Sequence, residues 1–163
     1  MTTTASEISR AVVRNDDVDA REFVTMTLAG QLFGIPVLQV QDVLGPQRIA
    51  RIPMAPTWVA GVLNLRGRIV TAIDVRRRLG LPKLEAAGTE MSIVIDHSGE
   101  LYSLLVDEVG EVMVCRADRI GPNPPTLDPV WQEISKGVVQ LDDRLMIILH
   151  VQRLFDLTHA AAA

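Results

Sequence analysis

The sequence predicts an all-β fold: two small β-barrel lobes related by internal duplication and sharing one core, with only short helices. Three observations carry this reading. Short apolar segments alternate at period two, glycine-bearing turns separate them, and the second half of the chain rewrites the first.

Residues 1–21 are polar, partly acidic and aperiodic, and read as a flexible N-terminal tail. Order is expected to begin near Glu22. Val24, Met26 and Leu28 then alternate with Thr25 and Thr27, as in a half-buried strand. Gly30-Gln31 is read as a type II′ turn with glycine first, and Leu32 to Val37 as the return strand. Further on come a proline-containing loop, two strands joined by the tight turn Arg66-Gly67, and a short helix. Asp74 is its expected N-cap, Val75 and Leu79 its apolar face and Gly80 its stop.

The same order recurs. GQLFGIPVLQVQDV at 30–43 aligns with GELYSLLVDEVGEV at 99–112, and GVLNLRGRIVTAIDVRRRL at 61–79 with GVVQLDDRLMIILHVQRLF at 137–155. Arg51-Ile52 and Trp58 are paired with Arg119-Ile120 and Trp131, and extra residues of the second copy are placed in the proline-rich stretch 121–129. The repeats span about 22–80 and 90–157, and 158–163 is read as a C-terminal tail. Strand exchange between the lobes is left open.

Composition narrows the function classes. Apolar residues make up 48% and charged residues 22% of the 163 residues, a globular balance. The net charge of −4 offers no basic surface for nucleic acid. The N-terminus has no signal-peptide pattern and no apolar run reaches membrane-spanning length, so a cytoplasmic protein without membrane insertion is expected. Cys115 is the only cysteine and sits in an apolar run, the setting of a buried inert thiol.

The residues that could carry chemistry do not assemble into a catalytic pattern. His97 reads as a solvated turn residue, His150 occupies the helix-capping position of Asp74, and His159 lies in the tail. The pairs Asp16-Asp17, Asp107-Glu108 and Asp142-Asp143 read as solvated acids, and Arg76-Arg77-Arg78 as a solvated helix face. No metal-ligand spacing, phosphate loop or nucleophile motif is present. The expectation is a non-catalytic protein with no cofactor and no metal. Residues that differ between the copies at equivalent structured positions are the candidates for function. The clearest difference is Asn64-Leu65-Arg66-Gly67 against Gln140-Leu141-Asp142-Asp143, which puts a long forked donor at one turn tip and plain turn acids at the other.

The string Pro56-x-x-Val59-x-Gly61-Val62-x-Asn64-Leu65-Arg66-Gly67-x-Ile69-Val70-x-x-Ile73-Asp74-Val75-Arg76, followed by Leu79-Gly80, resembles the CheW family of chemotaxis coupling proteins. So do Gly34-Ile35-x-Val37-x-x-Val40-Gln41-Asp42-Val43 and Val106-Asp107-Glu108-Val109-Gly110-Glu111-Val112. The likeness covers about 22–157. It implies two SH3-like five-stranded β-barrels around a common core. It also implies an adaptor linking the cytoplasmic hairpin tip of methyl-accepting chemotaxis receptors to the regulatory domain of the histidine kinase CheA. On that resemblance Val40, Asp42, Asn64 and Arg66 lie on the receptor side, with Val109 and Val112 lining a groove. Plain core packing is the competing reading for the three valines. Two other readings remain: a CheW-like regulatory domain of a kinase or of a receiver-fused coupling protein, and a small enzyme with an inter-lobe site.

Overall fold

The computed structural model describes residues 20–82 and 89–162. Most of the expected tail lies outside them, but its last two residues do not: strand β1 starts at Ala20 and pairs Ala20 with Arg116 and Arg21 with Cys115. β1 (Ala20–Leu28) and β2 (Gln31–Pro36) form a hairpin in which Leu28 faces Gln31. Its turn is therefore Ala29-Gly30, with φ of 49° and 81°, the signs a type I′ turn requires, and not the expected type II′ turn at Gly30-Gln31. The strained alanine is held in place because its N–H donates to Asp107 Oδ2 at 2.8 Å. β6 (Met91–His97) and β7 (Glu100–Val106) repeat the hairpin around Ser98-Gly99, with φ of 55° and 85°.

The remaining strands are β3 (Val40–Leu44), β4 (Val59–Leu65), β5 (Arg68–Asp74), β8 (Glu108–Arg116), β9 (Ile120–Gly121), β10 (Ser135–Gln140) and β11 (Leu145–Leu149). They make two sheets, ordered β8-β1-β2-β11-β10-β9 and β3-β6-β7-β5-β4. This settles the open question of exchange. The hairpin β1-β2 of the first copy sits among β8 to β11 of the second, and β6-β7 of the second sits among β3 to β5 of the first. Four ladders join strands of different copies: β1 with β8 and β3 with β6 are antiparallel, β2 with β11 and β5 with β7 parallel. Only a three-residue 3-10 turn, Val37–Gln39, separates β2 from β3, and Asp107 alone separates β7 from β8. Connections this short carry the chain straight into the other sheet.

Burial follows from that exchange. A central cluster draws on both sheets: Met26, Leu28, Phe33 and Ile35 from one, Ile73, Ile93, Ile95 and Leu104 from the other. Each sheet also has its own cluster, one around Phe23, Leu32, Met146 and Ile148, the other around Leu63, Val70, Ala72 and Val94. Strands such as Ile93-Val94-Ile95 are thus apolar on successive residues because both faces are covered. The shared core is the one expected from the repeat.

Among the described residues three α-helices complete the fold: α1 (Val75–Arg78), α2 (Pro129–Ile134) and α3 (Val151–Ala162). α2 fills the insertion of the second copy and changes two of the expected correspondences. Asp74 N–H donates to Trp58 O and His150 N–H to Ile134 O, so Trp58 matches Ile134 and not Trp131. Ala50 bridges Val62 while Gly121 pairs with the equivalent Val138, so Arg48-Ile49-Ala50 matches Arg119-Ile120-Gly121. The expected Arg51-Ile52 was displaced because an equally good Arg-Ile pair stands three residues upstream. α3 runs on to Ala162 through the segment expected to be a tail, as its alanine-rich end favours. Among the described residues no helix is long and apolar enough to cross a membrane.

His97 departs from its expected solvated role. Its ring stacks on Phe155 with centroids 4.5 Å apart, beside Tyr102. His150 does cap a helix: Arg153 N–H donates to its Nδ1 at 3.3 Å, as Arg77 N–H donates to Asp74 Oδ1 at 3.0 Å in the first copy. Burial lowers the His150 pKa, and Lys136 and Arg153 push it the same way, while Asp156 opposes them. The folded state therefore holds the neutral imidazole that can accept the bond. Its contribution is full above the unfolded value of about 6.5 and declines as pH falls toward the lowered folded value. His150→Asp is expected to abolish that decline and to add about 0.5–1 kcal/mol at pH 7, measured by urea unfolding of both proteins at several pH values.

Candidate functional site

The Arg66-Gly67 turn is built by its own neighbours. Arg66 and Gly67 have φ of 52° and 86°, and Gly67 N–H donates to Asn64 Oδ1 at 2.8 Å. Asn64 thus holds a turn that projects Arg66 into solvent, where its side chain is 79% exposed. Arg66 Nη2 lies 3.0 Å from Asp42 Oδ2, an ion pair that falls short of hydrogen-bond geometry. At that exposure the pair adds at most about 1 kcal/mol to stability. In the second copy neither Asp142 nor Asp143 adopts positive φ, and Leu141 N–H closes on Arg144 O at 2.8 Å. The two turns differ in backbone as well as in side chains.

Asp42 reaches Arg66 from the far edge of the same sheet, since β3 and β4 stand at opposite ends of the strand order. Two features bring them together. After β3 the chain folds over so that Ala50 and Val62 exchange backbone hydrogen bonds of 2.8 and 2.9 Å. A bulge at Gln41 shifts the register between Val40 and Asp42. In a regular strand these residues would share a face; the extra residue lets Val40 pack on the central core while Asp42 turns to Arg66.

Val109 and Val112 lie on β8, in the other sheet, opposite Met26 and Val24. All three candidate valines are half-buried against the central core, yet Val109 and Val112 also line a groove of about 540 Å³ with Thr25, Thr27 and Arg144. A bulge sits here too, where Thr25 Oγ1 donates to Glu111 O at 2.7 Å. Val40, Asp42, Asn64 and Arg66 are not among that groove's residues. The six candidates therefore form two groups: an exposed turn with its supporting acid and Val40 on one sheet, and a groove of mixed polar and apolar lining on the other.

Two expectations fail together. Arg76 and Asp107 are not solvated: their side chains are 15% and 12% exposed. Arg76 Nε and Nη2 donate to the two carboxylate oxygens at 2.6 and 2.7 Å, and Nη1 donates to Pro82 O. Asp107 also accepts from Ala29 and donates its own N–H to Thr27 O at 3.1 Å. Burial pushes the Asp107 carboxyl up, but the bonds from Arg76 and Ala29 and the Arg76 charge together hold it below its ordinary value. The contribution of the pair is accordingly full above the ordinary carboxylate range and is lost only as pH falls through the lowered value. Residue spacing could not bring these two together, because they are 31 positions apart. One signal was available: across the copies Arg76 meets Gln152 and Asp107 meets Leu38.

Beside this pair runs a groove of about 830 Å³ lined by Arg51, Ile52, Met54, Asp74 and Glu90. Sequence reasoning also missed its exposed apolar rim, Ile52 and Met54. Burial raises the Cys115 thiol, in keeping with an inert role. Among the described residues no three potential metal ligands cluster.

Comparison with known proteins agrees with this architecture. The solved scaffolding protein TtCheW from Thermoanaerobacter tengcongensis superposes with a TM-score of 0.75 and 30% identity, covering 85% of this chain and 94% of that one. Chemotaxis protein CheW of Klebsiella aerogenes is 30% identical over 134 residues, 82% of this chain and 81% of its own. The probable chemotaxis protein CheW of Rhizobium etli is 26% identical over 143 residues, 88% of this chain and 92% of its own. Residues 22–159 match the family described as the CheW-like domain. With its duplicated hairpins, exchanged sheets and Asn-Leu-Arg-Gly turn all inside that span, the chain belongs to the CheW-like family.

Proposed function

We propose that this protein is a non-catalytic chemotaxis scaffold that couples methyl-accepting receptors to the histidine kinase CheA by binding the receptor hairpin tip. Family membership and the relatives named as chemotaxis and scaffolding proteins support the general role. The observation that carries the finer one is the Arg66-Gly67 turn. An arginine is held at a strained, exposed tip by Asn64 and Asp42, and its pseudo-equivalent is a plain acidic loop. The turn's backbone is the one the hairpins at Ala29-Gly30 and Ser98-Gly99 also adopt, so what sets it apart is the exposed guanidinium it presents. Val40 lies one bulge from Asp42, and Val109 and Val112 put apolar side chains in a groove whose rim carries Glu108, Glu111 and Arg144, a lining that suits an amphipathic helix. The protein works in the cytoplasm, at receptor arrays it reaches through its partners.

Arg66→Ala is expected to weaken binding of a receptor hairpin peptide by about tenfold, the loss typical of an interface arginine. Its unfolding midpoint should stay within the change of a surface substitution, about 0.5 kcal/mol. Titration calorimetry with parent and variant checks both points. Unchanged affinity in the folded variant removes Arg66 from the receptor site.

A further inference from the structure

The chain crosses between the sheets twice, and the two crossings are not alike. At Asp107, where β7 passes into β8, the carboxylate is gripped by Arg76 of α1 and by the Ala29 amide of the β1-β2 turn. α1 continues directly from β5, so this one carboxylate joins the end of one sheet to the hairpin tip of the other. At the pseudo-equivalent crossing the residues are Leu38, Gln152 and Ser98. Leu38 is 95% exposed, and Gln152 spends its amide on Asp156 within its own helix at 2.9 Å. One joint is locked by charge, and its counterpart carries no such lock.

We propose that Arg76 and Asp107 are positioning residues. They fix the angle between the two sheets, and with it the placement of the Arg66 turn relative to the Val109 and Val112 groove. The geometry favours this over simple stabilisation. β5 runs from the Arg66 turn to Arg76, and β8 runs from Asp107 to the two valines, so the ion pair spans the roots of both candidate surfaces. A bidentate arginine fork fixes direction as well as distance, which a point charge on lysine does not. The consequence for receptor binding rests on the function proposed above; the lock itself does not.

The test uses the full chain carrying Arg76→Gln with Asp107→Asn, which replaces both charges by amides and leaves no buried ion unpaired. Arg76→Lys serves as the conservative variant. Spin labels at Ile69→Cys on one sheet and Glu108→Cys on the other, with Cys115→Ser, report the inter-sheet distance by pulsed electron resonance. Hydrogen exchange reports the Ala29 amide. In the double variant the distance distribution is expected to broaden and Ala29 exchange to rise by about tenfold or more, with Arg76→Lys restoring neither fully. Receptor-peptide affinity should fall in the double variant, whereas Arg66→Ala should lower affinity and leave the distance distribution alone. A distribution that stays narrow in the double variant overturns the lock, whatever happens to binding. A broadened distribution with unchanged affinity, in a protein whose Arg66→Ala does lose affinity, overturns the positioning role. Loss of the Arg66 effect with a broadened distribution refutes the receptor reading and upholds the lock.

Discussion

Gly61→Ala is expected to destabilise the protein by about 3 kcal/mol or more, lowering the thermal midpoint by roughly 6–12 °C. A Cβ at this position would stand 2.2 Å from Ala50 O and 2.8 Å from both Ala50 C and Ile49 Cγ2, and the glycine φ is +148°. The nearest obstructing atom and one of the other two are backbone, so side-chain rotation does not relieve the contact. The segment 49–50 would have to leave β4, breaking the hydrogen bonds between Ala50 and Val62 that draw the far edges of the sheet together. Asp42 would then lose its approach to Arg66, and receptor-peptide affinity should fall along with stability. Gly137 provides the internal control. Its Cβ would meet Gly121 O at 3.0 Å and Ile120 Cγ2 at 3.3 Å, contacts a small shift can relieve. Gly137→Ala should therefore cost less than Gly61→Ala in denaturant titration. Equal costs would show that the closure at Ala50 does not have the weight assigned to it.

Phe33→Ala should have an effect of similar or greater size, about 3–5 kcal/mol. Phe33 is fully buried in the cluster that both sheets share, and Trp131 meets its ring edge-on with centroids 5.2 Å apart. It stands on β2, opposite Ile147 in one of the two parallel ladders created by strand exchange. Truncation would open a void in the cluster between the sheets and remove the ring that Trp131 packs against. With total stabilities of about 5–15 kcal/mol, the variant would lose roughly a fifth or more of its margin. Val43→Ala, on an exposed position of β3, should change stability by no more than about 0.5 kcal/mol in the same titration.

The Arg66 turn and the Arg76–Asp107 lock show how much of the candidate site could be read from the chain. The turn was legible because all of its parts are local: Asn64, Arg66 and Gly67 lie within four residues, and the second copy supplies a direct comparison. Asp42 was named as a candidate, but its contact with Arg66 was not, since that contact spans 24 residues and depends on a bulge and on the closure of Ala50 onto Val62. The lock was misread as two sets of solvated charges. Arg76 sits in a run of three arginines and Asp107 beside Glu108, and composition alone does not distinguish the member of each set that forms the pair. The I′ turn at Ala29 was missed for the same reason, because its support comes from Asp107 in the other half of the chain.

By itself the sequence determined the all-β class, the duplicated strand order, the helix caps at Asp74 and His150 and the turn that distinguishes the two copies. Each of these rests on period, turn chemistry or comparison of equivalent positions, which are properties of short segments. Only the tertiary structure decided which copy's strands each hairpin joins. Duplication makes the two pairings nearly equivalent in residue type, so no local preference separates them. The choice falls to the short crossings at Val37–Gln39 and Asp107, to a core buried on both faces of the exchanged strands, and to one ion pair that extends the exchanged β5-β7 ladder.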